Sequence, residues 1–157
     1  MLNTILVATA ISLHILSAVV WVGGMFFAHF ALRPAANSLL EPPARLPLMS
    51  QVLGHFFPWV WLSIVLLWIT GGWLIFGFFG GMGNIDVSIH IMLTIAIIMT
   101  IVFIYLFFIP FPKLKQAIAE GTFPEAGKYL ATIRQLIVVN LWLGLITIIV
   151  AGAGRVF

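Results

Sequence analysis

The chain has 157 residues, of which 63% are hydrophobic and only 7% are charged, and its formal net charge is +3. A soluble globular domain carries about 25% charged residues, so this composition excludes a water-soluble protein. Cysteine is absent, which excludes disulfides, thiolate metal sites and cysteine nucleophiles. The few basic residues lie in connections and at the ends of apolar runs, unlike the clustered basic face that nucleic-acid binding needs.

Four apolar runs are each long enough to cross a bilayer, which takes about 20 helical residues. In chain order they cover approximately residues 5–32, 56–79, 87–109 and 133–153. The first run is too long for the core of a signal peptide and has no basic residue before it, so we expect it to be retained as a span. The pattern predicts an all-α, integral membrane, four-helix up-and-down bundle that forms one transmembrane domain over residues 1–157.

Prolines mark the expected ends of these spans. Pro42, Pro43 and Pro47 predict a first connection that is not helical, because proline removes a backbone donor and clashes with a preceding turn. Pro58 is expected in the first turn of the second span, where proline is well tolerated. The third run is expected to stop at Pro110.

Loop charges predict the orientation of the bundle. The first and third connections, together with Arg134, hold six of the seven basic residues. The positive-inside rule places them in the cytoplasm, so both termini and the short Gly-rich turn at 80–84 are expected outside. Arg155 is the one basic residue that opposes this orientation.

Four histidines lie inside or at the edge of the apolar runs, where polar groups are costly and commonly functional. Their expected depths give an outer pair, His14 with His90, and an inner pair, His29 with His55, each drawn from two spans. His14 and His29 are about 22 Å apart along one helix and within about 60° of one face. This arrangement suits bis-histidine haem b, one at the outer pair and a second at the inner pair. An interfacial location without a ligand role is the alternative, chiefly for His29 and His55.

Two other polar residues are candidates for contact with such a cofactor. Asn140 either orients a ligand histidine or joins two helices. Arg134 pairs either with haem propionates or with lipid phosphates.

The first span resembles the opening of the copper-resistance CopD family of bacterial membrane proteins, at His14, Trp21, Gly23, Gly24, Phe26, Arg33 and Pro34. The likeness continues through Phe57-Pro58, Thr70-Gly71-Gly72, His90, Asn140 and Gly144. The same outline is similar to HemJ, a four-helix protoporphyrinogen oxidase that binds haem b, in which His14 and His90 match important histidines. Met92 stands where HemJ has a lysine, and Leu141 and Trp142 replace part of an Asn-Glu-x-Pro signature, which argues against that oxidase activity. The resemblance implies a haem- or copper-associated protein of the bacterial inner membrane.

Three functions are consistent with these features. The histidine depths favour a small b-type cytochrome that exchanges electrons with quinone or a redox partner protein. As a haem-dependent membrane oxidoreductase it would owe its chemistry to the cofactor. The alternative is a copper-handling transporter or chaperone that relays the ion through imidazole and thioether groups, with Met25 and Met92 near histidines. A further alternative is a structural or assembly subunit of a respiratory complex.

Overall fold

The computed structural model describes residues 2–154, except for the side chain of Leu2. All regular secondary structure in that part of the chain is helical. Arg155, which opposes the predicted orientation, lies outside the described residues.

Six α-helices are present between residues 2 and 154: α1 (Leu2–Phe27), α2 (Arg33–Leu39), α3 (Pro42–Trp73), α4 (Val87–Phe108), α5 (Pro110–Ala119) and α6 (Phe123–Ala153). Short π-helical turns at Ala28–Leu32 and Leu74–Phe78 extend α1 into α2 and lengthen α3, and a 3-10 turn occupies Met82–Asn84. The result is four long helical segments that are apolar enough to cross a membrane, Asn3–Leu39, Pro42–Phe78, Val87–Ala119 and Phe123–Ala153.

Large apolar side chains cover the outside of these segments. Ile69 is 62% exposed, Ile101 60% and Ile149 68%. A soluble monomer rarely exposes so much contiguous apolar surface, whereas lipid requires it together with a fully hydrogen-bonded helical backbone. The prediction of an all-α membrane bundle is confirmed.

The prediction of a non-helical first connection was wrong. Only Leu40 and Glu41 separate α2 from α3, which begins at Pro42 and contains Pro47 and Pro58 in its interior. Proline at the start of a helix is favourable because the donor it lacks would have no partner there. Pro58 lies far from the first turn of α3, since this helix begins well before the apolar run that defined the predicted span.

We call the end of the bundle near residues 28–45 and 110–134 the basic end, and the end near residues 80–86 the turn end.

The third connection is helical as well. Ile109 leaves α-helical geometry, with φ −109° and ψ −73°, and Pro110 begins α5. This helix is amphipathic: Phe111, Leu114 and Ala117 are buried, whereas Lys113 and Lys115 are exposed. It packs against α6 at the basic end, and the ammonium group of Lys113 lies 5.9 Å from the ring centroid of Tyr129 in α6.

Aromatic rings join the helices in the interior. Phe103 of α4 contacts Trp21 of α1 at a centroid distance of 6.2 Å. It also contacts Phe57 and Trp61 of α3, at 5.4 Å and 5.3 Å. All three contacts are edge-to-face, the geometry that the ring quadrupoles favour. This cluster holds α1, α3 and α4 in one core between the two ends.

Candidate functional site

His14 lies on the face of α1 that packs into the bundle. The same face carries Ser17, Trp21 and Met25, at the three- and four-residue spacing that aligns side chains along a helix. Those three residues are buried, with exposed fractions of 4%, 3% and 3%. His14 is half-buried, nearer the turn end than the rest of this face.

Thr70 of α3 fixes the orientation of the His14 ring. The distance from His14 Nδ1 to Thr70 Oγ1 is 2.8 Å, and the Thr70 hydroxyl donates to the Leu66 carbonyl at 2.6 Å. A hydroxyl has one hydrogen, so while Thr70 donates it to Leu66, its oxygen accepts from His14 Nδ1. In this arrangement the proton of the neutral imidazole is on Nδ1, and Nε2 carries the lone pair.

Gly71 provides the surface on which this ring lies. A Cβ built at residue 71 would be 3.2 Å from His14 Cε1, whereas one at Gly72 would meet nothing within 4 Å. The absence of a side chain at residue 71 thus lets α1 and α3 approach at His14. From the sequence, Thr70, Gly71 and Gly72 were named only as part of the family resemblance. Thr70 was given no role beside His14, because its hydroxyl could equally have bonded only to its own helix.

His55 and His90 are exposed, and each bonds within its own helix. The His55 ring donates from Nδ1 to the Gln51 carbonyl at 2.8 Å, and the His90 ring to the Asp86 carbonyl at 3.2 Å. Neither histidine hydrogen-bonds to His14 or His29. Among residues 2–154 no group of three or more His, Cys, Asp or Glu side chains could hold a metal ion. The outer and inner histidine pairs stay predictions.

His29 and Arg134 come together at the basic end. His29 lies in the π-helical turn Ala28–Leu32, and Arg134 lies in the first half of α6. Both line a pocket of about 140 Å³, which His55 does not line. The Nδ1 atom of His29 is buried and has no hydrogen-bond partner in the described part of the chain.

Asn140 joins two helices. Its side chain is 1% exposed, and its Nδ2 donates to the Met99 carbonyl of α4 at 3.1 Å. This bond favours the second of the two predicted roles, because no histidine is its partner. Its Oδ1 is buried with no partner among the described residues.

Replacing Asn140 by leucine should destabilise the bundle by about 0.5–2 kcal/mol, the range for interhelical hydrogen bonds in membrane proteins. Asn140→Asp should cost more at neutral pH, because the carboxyl group must first be protonated before it can donate to the Met99 carbonyl, and its charged form is costly to bury. Detergent-titrated unfolding, followed by circular dichroism, measures both changes. Equal stability of wild-type protein and both variants would contradict a helix-joining role.

A family model described as "Copper resistance protein D" matches residues 50–153. The chain belongs to the CopD family. The match confirms the resemblance seen in the sequence and includes His55, His90, Arg134 and Asn140. It begins after α1 and α2, so His14 and His29 of this CopD-family protein lie outside it.

Searches among curated proteins and among solved structures found no match. The similarity to HemJ therefore stays a prediction.

Proposed function

We propose that this CopD-family membrane protein binds and relays copper, with Nε2 of His14 as a ligand. The hydrogen bond from His14 to Thr70 carries the proposal. A metal-binding histidine almost always donates its other ring N–H to a fixed acceptor, which sets the tautomer and the ring orientation. Among the four histidines, His14 is the one whose Nδ1 bonds to a different helix.

The donor atoms of the chain suit Cu(I) as the transported ion. Cysteine is absent, so imidazole and the methionine thioether are the softest donors available. Met25 lies on the same face of α1, about 17 Å further along the helix and about 20° around it, and it is 3% exposed. Met25 is thus a second soft donor on this face of α1, between His14 and the basic end.

Haem b, held by the four histidines as one or two groups, remains a prediction from the sequence. It receives no support from the family description, and the side chains of His55 and His90 are exposed on the outside of their helices. The inner-membrane location, the orientation of the bundle, and electron exchange with quinone or a redox partner protein also remain predictions from the sequence.

Anaerobic titration with Cu(I) tests the proposal directly. Protein reconstituted into lipid nanodiscs competes with a chromophoric Cu(I) chelator, and we expect the protein to withdraw copper from it. The visible spectrum of the same sample shows whether a haem Soret band is present. Failure to compete for Cu(I), with or without a Soret band, would refute copper binding, and a Soret band would favour the haem hypothesis.

Gly71→Ala should weaken Cu(I) binding several-fold. The new Cβ forces the His14 ring to shift by a few tenths of an ångström, a large part of the roughly 0.5 Å within which a metal site must hold its ligands. Gly72→Ala is the matched control, because its Cβ meets nothing within 4 Å. Equal affinities of the two variants in the chelator assay would show that the His14 ring position is unimportant.

A further inference from the structure

The pocket at the basic end is lined mainly by apolar side chains, but five polar side chains also reach it. It lies between the α1–α2 junction, the start of α3 and the start of α6, and its volume is about 140 Å³. Its polar lining consists of His29, Arg33, Asn37, Arg45 and Arg134.

Three guanidinium groups line this pocket, and no acidic side chain of the described residues lines it with them. Arg33, Arg45 and Arg134 are each half-buried. The charge of Arg134 acts unfavourably on that of Arg33. Like charges held close together repel each other, and an opposite charge placed between them relieves that repulsion.

His29 adds an unused polar group to the same cluster. Its Nδ1 is buried without a partner among the described residues, and buried polar atoms are nearly always hydrogen-bonded. The residue lies in a π-helical turn, a local distortion that is frequent at functional sites. His29 therefore offers a ligand of this pocket a hydrogen-bonding atom that the described residues leave unused.

We propose that this pocket binds a phosphate-bearing anion. The planar guanidinium forks of arginine match phosphate oxygens in pairs, and basic pockets between membrane helices bind phosphorylated lipid head groups. The volume is well below the roughly 300–1,000 Å³ of pockets for drug-sized ligands, so a single phosphate-sized group fits and a macrocycle does not. A lipid head group and free phosphate share this chemistry. The inference is independent of copper binding, since the pocket and His14 lie at different depths of the bundle.

Two binding experiments, called arms below, distinguish a lipid head group from free phosphate as the ligand. In the first, delipidated full-length protein in a non-ionic detergent is titrated with inorganic phosphate, against chloride at equal ionic strength. In the second, the protein is placed in phosphatidylcholine nanodiscs with or without phosphatidic acid. The thermal unfolding midpoint is measured in both arms, because a ligand that binds only the folded state raises it.

Arg33→Gln/Arg134→Gln tests the pocket in each arm. We expect the dissociation constant to rise at least about tenfold, since hydrogen bonds to charged groups are the strong ones. Without ligand this variant should unfold no earlier than wild-type protein, because the repulsion between the two arginines is removed. Lys128→Gln is the matched control: this basic residue is exposed at the same end but does not line the pocket.

A shift of the unfolding midpoint with inorganic phosphate identifies a free anion as the ligand, and a shift with phosphatidic acid but not with inorganic phosphate identifies a lipid head group. The proposal is supported if the shift is lost in the double variant and kept in Lys128→Gln. No shift of wild-type protein in either arm, or an equal loss in Lys128→Gln, would overturn it.

Discussion

Replacing His14 by alanine should reduce the Cu(I) affinity by more than about 100-fold, because it removes the ligand itself rather than a group that orients it. The helix should remain intact, since alanine is the best helix former and His14 is only half-buried. The chelator competition assay in nanodiscs measures the loss. Copper tolerance of cells that express the variant gives an independent readout.

Thr70→Val and His55→Ala test whether the loss of Cu(I) affinity is specific to the His14 site. Valine keeps the approximate shape of threonine but leaves His14 Nδ1 without its acceptor, so we expect a loss of about 10–100-fold, as for other groups that orient a metal ligand. His55 is exposed and bonds to its own helix, and its replacement should leave the affinity unchanged. Wild-type affinity in His14→Ala, or an equal loss in His55→Ala, would contradict the assignment.

The sequence predicted the number of membrane-spanning segments and their helical class, but not where the helices end. Apolar length decides how many segments cross a bilayer, and that signal is strong in every run. The polar stretch from Pro42 to His55 carries no such signal, yet it is helical because α3 packs there against the rest of the bundle. Tertiary contacts, which a single sequence does not show, decide whether such a stretch continues a helix.

Single residues of the candidate sites could be predicted from the sequence, but the residues that they contact could not. His14 was identified by its depth in an apolar helix, but its partner Thr70 depends on how α1 and α3 are rotated relative to each other. His29 and Arg134 were both named, as contacts of a haem. Arg45 also lines the pocket that they share, and it reaches this pocket because α3 begins at Pro42.

Gly144→Ala should destabilise the bundle by about 1–3 kcal/mol, the usual cost of overfilling a packed core. A Cβ at residue 144 of α6 would be 2.7 Å from Val22 Cγ2 of α1 and 3.3 Å from Met99 Cε of α4. Met99 is flexible, but the β-branched Val22 has few rotamers available and is 7% exposed. The helices themselves would have to separate, and detergent-titrated unfolding measures the cost.

Gly152→Ala is the matched control on the same helix, because a Cβ there would meet nothing within 4 Å. It should be neutral or stabilising by up to about 1 kcal/mol, the difference in helix propensity between alanine and glycine. Helices in lipid gain little from burying apolar surface, so close backbone approach must hold them together. If Gly144→Ala were as stable as Gly152→Ala, the contact among α1, α4 and α6 would not be what stabilises the bundle, and the aromatic cluster around Phe103 would have to do so instead.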